Sequence, residues 1–297
     1  SGTDSGEDVY LNSHCRTDFG DVRFTDDDGV TLLDYWMEEK VDSDYAVFWI
    51  EVADDLSSSN ATIYIYYGKS DAATTSNGDN TFIYFDDFSS DTTSDYTKTG
   101  TKYQGTTPSM TYDSANERVE LSISAGGHGL AYRSGETCGA GKIIEVKAKY
   151  TTSTGNEQVG EGLRGSTKDL IARGTSYQSG SYDRYIQIKE FTSGGATTVA
   201  INQTYGFDSN FHVISLGILS NTVKMYVDYT EELSASYTAE SGDISLFIGY
   251  NTNSEGVFDN FKVRKFTYPE PSHGSWGSEE TAGGQTYEVN VDAVVQS

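Results

Sequence analysis

Apolar side chains recur at every second position along most of this chain, in short runs, and helical periodicity is absent. KIIEVKAKY (142–150), RYIQIKEF (184–191), TVKMYVD (222–228) and ATIYIYYG (61–68) show the pattern plainly. A strand turns successive side chains to opposite faces, so such runs require sheets to lie on. Polar turns such as Asp26-Asp27-Asp28-Gly29 and Ser220-Asn221-Thr222 separate them, which suits antiparallel neighbours joined by hairpins. Runs before residue 80 (GDVRF, TLLDYWMEE, YAVFWIEVA, ATIYIYYG) make one small group, and about a dozen runs from Phe82 to Phe266 make a larger one. The expectation is an all-β chain of two antiparallel β-sandwich modules of jelly-roll type in tandem, with an extension strand at the C-terminus. The boundaries read as 1–80, 81–268, a linker at 269–284 that returns to the first module, and a donor-type strand at 285–297. FIYFDDF (82–88) and VFDNFKVRKF (257–266) echo each other at the two ends of the larger module, as paired opening and closing strands would.

Charge narrows the partners. The 297 residues carry a net charge of −25, from 45 acidic and 20 basic side chains, a field that repels nucleic acid and anionic lipid. No run of about 18 apolar residues exists to span a membrane. Tyr (22) and Gly (31) are abundant and Pro (3) is scarce, which suits pleated surfaces joined by turns. The expected setting is extracellular, secreted or cell-surface, for a mature or excised product. Asn60-Ala61-Thr62 and Asn202-Gln203-Thr204 are N-glycosylation sequons for that setting. Cys15 and Cys138 leave two readings open, one disulfide between modules or two free thiols. With four His and two Cys scattered along the chain, no zinc-type cluster is present in the sequence.

DFGDVRFTDDDGVTLLDYWMEE (18–39), ATIYIYYGKSDA (61–72) and FDDF (85–88), in that order, resemble an uncharacterised extracellular domain of unknown function that recurs in archaeal and bacterial surface proteins. Residues 86–266 resemble a concanavalin A-like, laminin-G-type jelly roll, and FDNFKVRKF followed by PEPSHGSWGSEE resembles the closing segment of such tandems. The resemblance implies a surface location and, by analogy of fold, glycan or protein binding. It also implies an alternating strand ahead of SGTDSGEDVYLN, a segment at which this chain begins.

Hydrolytic chemistry finds little to work with. Glycan cleavage needs paired carboxylates on one strand face, and neither E-x-D-x-x-E nor its one-residue expansion occurs. Glu157 and Glu161 are the nearest pair and read as a solvated edge; no enzyme is expected. Asp86, Asp87, Asp259 and Asn260 would be neighbours if the echoing strands pair. Two readings stand for them, a structural calcium ion held by hard oxygens or a hydrogen-bonded tie between strand ends. Trp36 and Trp49 lie within apolar runs and read as core, whereas Tyr64 and Tyr66 share a face that could be surface. Tyr177, Tyr182 and Tyr185, in the loop-rich stretch GTSYQSGSYDRYIQ, are the candidates for glycan contact.

QTYEVNVDAVV (285–295) sets Tyr287, Val289, Val291, Ala293 and Val295 on one face, beyond a Gly283-Gly284 joint. The leading expectation is that this strand completes the first-module sheet of the next copy, giving a head-to-tail extracellular filament by strand complementation. The alternative is a monomeric adhesin or glycan-binding module, and a glycoside-active enzyme stands behind both.

Overall fold

The alternating runs fold into strands close to their sequence limits in the computed structural model. Lys142–Tyr150, Gln158–Arg164 and Ala61–Tyr67 fall where the pattern placed them, and TVKMYVD yields Thr222–Val227. The structure describes residues 3–56, 59–151, 155–250, 253–282 and 286–294. The chain divides into two units, Ser1–Phe82 with Thr267–Ser297, and Ile83–Phe266.

In the first unit, a sheet runs Arg23–Thr25, Ala61–Tyr67, Thr286–Val294, Ser272–Trp276, with Glu280–Ala282 also paired to Thr286–Val294. Tyr35–Val41 and Tyr45–Ile50 form a separate two-stranded sheet. Strict alternation in ATIYIYY buries Ile63, Ile65 and Tyr67 and leaves Tyr64 and Tyr66 half-buried. The buried row packs with Phe24 and Tyr35, whose rings meet edge to face at 5.3 Å, and with Phe48 at 5.4 Å from Phe24. Trp36 is buried against Phe82, and Trp49 is half-buried with its indole N–H donating to Glu38.

One expectation is corrected here, and the C-terminal strand takes a place within its own chain. Residues 269–284 are no plain linker: they carry two strands, and Glu279 accepts a hydrogen bond from the Tyr67 hydroxyl (2.8 Å) while the Trp276 indole N–H donates to the Gly6 carbonyl (2.9 Å). The C-terminal strand pairs within its own chain, antiparallel to Ala61–Tyr67, with Tyr287 opposite Tyr67, Val289 opposite Ile65, Val291 opposite Ile63 and Ala293 opposite Ala61. Thr286–Val294 thus covers an edge of Ala61–Tyr67 within one chain. Val295 and the Gly283-Gly284 joint lie outside the described residues.

The second unit is a sandwich. One sheet runs Thr230–Ser236, Thr222–Val227, His212–Ile218, Lys142–Tyr150, Ser254–Lys265, Arg118–Ile123, Ser109–Asp113, and Tyr84–Asp86 also pairs with Ser254–Lys265. The echo therefore marks a real pair, with Asp86 opposite Phe261 and Tyr84 opposite Val263. The other sheet runs Gly195–Asn202, Ile186–Thr192, Lys168–Thr175, Gln158–Arg164, Gly242–Tyr250, Gly127–Cys138, Thr97–Gly100. Between them lie Val119, Leu121 and Ile123 from the first sheet and Val159, Ala172, Ile186, Ile188, Leu246 and Ile248 from the second. Every second residue of the second sheet is thereby committed to the core, and the residues between them face the opposite way.

One polar residue intrudes on that core. Glu161 sits between Val159 and Leu163 in the inward row, fully buried, with no hydrogen-bond partner for either carboxyl oxygen. Glu157 is buried as well and accepts from the Ser176 hydroxyl (2.7 Å), so the solvated-edge reading of this pair is corrected. Burial, and secondarily the charge of Glu145, pushes the Glu161 carboxyl well above its ordinary range. The folded state therefore keeps a proton that the unfolded chain loses, and stability falls as pH rises from the ordinary carboxylate range through the folded pKa.

Glu161→Met should remove that slope and raise the melting temperature of this unit at pH 8 by about 2–8 °C, since an unsatisfied buried group costs about 1–3 kcal/mol. Calorimetry at pH 5 and pH 8 checks it, and a lowered melting temperature at both would contradict it. Tyr64→Cys with Asn290→Cys, whose α-carbons are partners, should cross-link within one chain in a Cys15→Ser, Cys138→Ser background. On a non-reducing gel a monomer band is expected, whereas a ladder would restore the head-to-tail contact.

Candidate functional site

The outward row of the second unit's seven-stranded sheet builds a cavity of about 770 Å³. Gln187 and Lys189 alternate with the core residues Ile186 and Ile188, Arg173 follows core Ala172, and Gln158 precedes core Val159. Strand register sets them side by side: Arg173 lies opposite Gln187 and opposite Gly160, and Lys189 lies opposite Ile171. Leu130, Ile171, Phe191 and Phe247 form a buried apolar cluster on this side of the sheet. Gly249, opposite both Gln158 and His128, keeps space open, for a Cβ there would come within 2.9 Å of the His128 ring.

Tyrosines line the cavity. Tyr177, Tyr182 and Tyr185 meet pairwise edge to face, with ring centroids 5.9, 6.3 and 5.3 Å apart. The segment 176–185 that carries them folds back through the short Gln178–Ser179 and Tyr182–Asp183 pair. The three candidates for glycan contact are thus brought together, Tyr185 buried and the other two half-buried. Tyr103 and Tyr250 also line the cavity, and Tyr250 is 44% exposed.

Amides supply most of the remaining polar surface: Gln104, Asn156, Gln158, Gln187 and Gln203. Two of them grip Arg173. Its Nη1 donates to Gln158 Oε1 and its Nη2 to Gln187 Oε1 (2.6 Å), while Gln187 Nε2 donates on to Thr198 Oγ1 (2.6 Å) and Gln158 Nε2 to Asn156 Oδ1 (3.1 Å). Tyr185 lies near the same guanidinium and interacts with it electrostatically. Arg173 is 1% exposed, and its Nε has no partner.

The cavity's charge is positive in an acidic chain. Burial pulls the Arg173 guanidinium down to about 10, and burial with the Arg173 charge pulls Lys189 down to about 8. Burial first, then Arg173 and Lys189, brings His128 down to about 3, so the imidazole is neutral at pH 7. Its ring packs between Phe191 (4.8 Å) and Tyr250 (5.5 Å), with Nδ1 unpartnered. Among the described residues, no Asp or Glu lines the cavity.

The other candidates stand apart from this place. Asp86 spends its carboxylate locally, accepting from Phe88 N–H (3.0 Å), Thr92 hydroxyl (2.8 Å) and Tyr96 hydroxyl (3.0 Å). Asp87 accepts from Ser89 N–H, and Asp259, pushed up to about 6 by burial, accepts from Asn260 N–H. Among the described residues, no three His, Cys, Asp or Glu side chains gather to hold a metal ion. Cys15, half-buried, and Cys138, buried, are free thiols in this structure. Asn60 is exposed and Asn202 half-buried at the end of its strand. Arg173, Gln158, Gln187, Lys189 and His128 were not among the sequence candidates. Their signal was a polar residue at alternate positions of strands whose other face is apolar, as in Y-I-Q-I-K.

The family described as a domain of unknown function (DUF2341) matches residues 18–101. Among solved structures, a Bacillus licheniformis beta-glucanase is similar at 18% identity, over 62% of this chain and 98% of that one, with a TM-score of 0.46. A carbohydrate binding module, CBM66, from Bacillus subtilis is similar at 16% identity, over 50% of this chain and 86% of that one, with a TM-score of 0.40. A protein of unknown function with a galectin-like fold from Bacillus subtilis is similar at 12% identity, over 62% and 96%, with a TM-score of 0.47. No curated protein matches the chain.

Proposed function

We propose that this protein binds glycans in the cavity of its second unit and does not cleave them. The observation that carries the reading is the lining itself, in which tyrosine rings and side-chain amides predominate. A sugar presents hydroxyls that both donate and accept, next to apolar C–H faces. Amides answer the first with a donor and an acceptor on one group, and aromatic rings answer the second. At about 770 Å³ the cavity falls in the roughly 300–1,000 Å³ range of small-molecule sites. The lining offers no pair of carboxylates to serve as acid and nucleophile, which favours recognition over hydrolysis.

The head-to-tail filament keeps one supporting observation. Thr286–Val294 lies between Ala61–Tyr67 and Ser272–Trp276, and the same main-chain register would be satisfied by a strand from another copy. Strand exchange between copies is therefore the second reading, and a binding module displayed on such an assembly would unite the two.

Screening the full chain on a glycan array should return retained glycans that remain intact after prolonged incubation. Tyr182→Ala should weaken the best of them by about ten- to a hundredfold, the range expected for loss of an aromatic anchor. Calorimetric titration measures it. Unchanged affinity in a folded Tyr182→Ala protein would remove the cavity from consideration, and release of shortened products would overturn binding without cleavage.

A further inference from the structure

Half-buried arginines elsewhere in the second unit are matched by acids. Arg264 donates to Glu145, which is fully buried, through Nε (3.0 Å) and Nη2 (3.3 Å), and Arg164 pairs with Asp169 at 3.1 Å. Arg173 breaks this habit. Its partners Gln158, Gln187 and Tyr185 are all neutral, its Nε–H donates to nothing, and it is 1% exposed. A second cation, Lys189, lies one register step away on the neighbouring strand of the same face. Two cations thus share a cavity that no Asp or Glu lines among the described residues, inside a chain of net charge −25. A charge withdrawn from water without a counter-charge is strongly unfavourable, and an anionic ligand relieves it.

We infer that the sugar taken by the cavity carries an anionic group, a carboxylate or a sulfate ester, seated against Arg173 and Lys189. The inference rests on the glycan-binding reading and narrows it to acidic sugars. The two amides hold the guanidinium plane fixed at the cavity lining and leave Nε–H without a partner, and a guanidinium's planar set of donors suits a planar or tetrahedral oxyanion. The tyrosines around it supply the faces on which the ring of the same sugar packs. His128 is neutral at pH 7 and adds no charge of its own. The rival account makes Arg173 a strut that ties three strands through Gln158 and Gln187. A strut requires no second cation beside it.

The test is affinity for matched pairs on an array: uronate oligosaccharides beside their methyl esters, and sulfated glycans beside their desulfated forms. The acidic member of at least one pair should bind about ten- to a hundredfold more tightly than its neutral twin, the difference expected of a charge-assisted contact. The pair that responds tells carboxylate from sulfate. Arg173→Met should erase that preference. Lys189→Gln, at a half-buried position that a polar side chain tolerates, should reduce it several-fold and keeps the test open if Arg173→Met does not fold. Equal binding of acidic and neutral twins by the unaltered protein would overturn the anion while leaving glycan binding intact. An array on which no glycan is retained would overturn both.

Discussion

A guanidinium held out of water by neutral partners is the constraint on which the candidate site turns. Arg173 is gripped by Gln158 and Gln187, and these in turn by Asn156 and Thr198, so its plane is fixed from both sides. Buried polar chains of this kind are rigid where every member is satisfied, and here one donor is left over, on Nε. The lowered pKa values of Lys189 and His128 follow from the same uncompensated charge together with burial. Proteins retain such unfavourable arrangements where binding rather than stability is served.

The scaffold makes the arrangement possible through alternation alone. Ile186, Ile188, Ala172 and Val159 lock three neighbouring strands onto the core, and a one-residue slip would turn the whole polar row inward. The core therefore fixes the register on which the site depends. Glu161 shows that this core carries an unfavourable group as well, a carboxyl kept protonated by burial and placed on the opposite face from the cavity.

Strand positions were legible in the sequence because the two-residue period is strong in runs such as QVGEGLR and KIIEVKAKY. The pairing of FDDF with VFDNF was legible from the echo of the two segments. The tyrosine cluster was legible as well, because aromatic residues crowded into a turn-rich stretch have few reasons to be there. What was not legible depended on contacts distant in sequence. Glu161 reads as polar and solvent-facing until the opposing sheet covers it. Asp86 and Asp259 read equally as calcium ligands or as a hydrogen-bonded tie, and the sequence does not show that Thr92, Tyr96 and backbone N–H groups donate to them. Arg173 looks like any strand arginine in LIARG, and only the register against Gln187 and the hydrogen bond to Gln158 show that its partners are neutral. The destination of the C-terminal strand turned on pairing with Ala61–Tyr67, more than two hundred residues away, which a local pattern does not encode.

The most direct measurement of the central claim is solution NMR of the Arg173 side chain during titration with a retained glycan. The account expects a slowly exchanging Nε–H signal, assigned by its loss in Arg173→Met, that shifts together with the side-chain amides of Gln158 and Gln187 as the glycan is added. A glycan that binds while these three signals stay in place, with the shifts confined to residues outside the cavity, would contradict it.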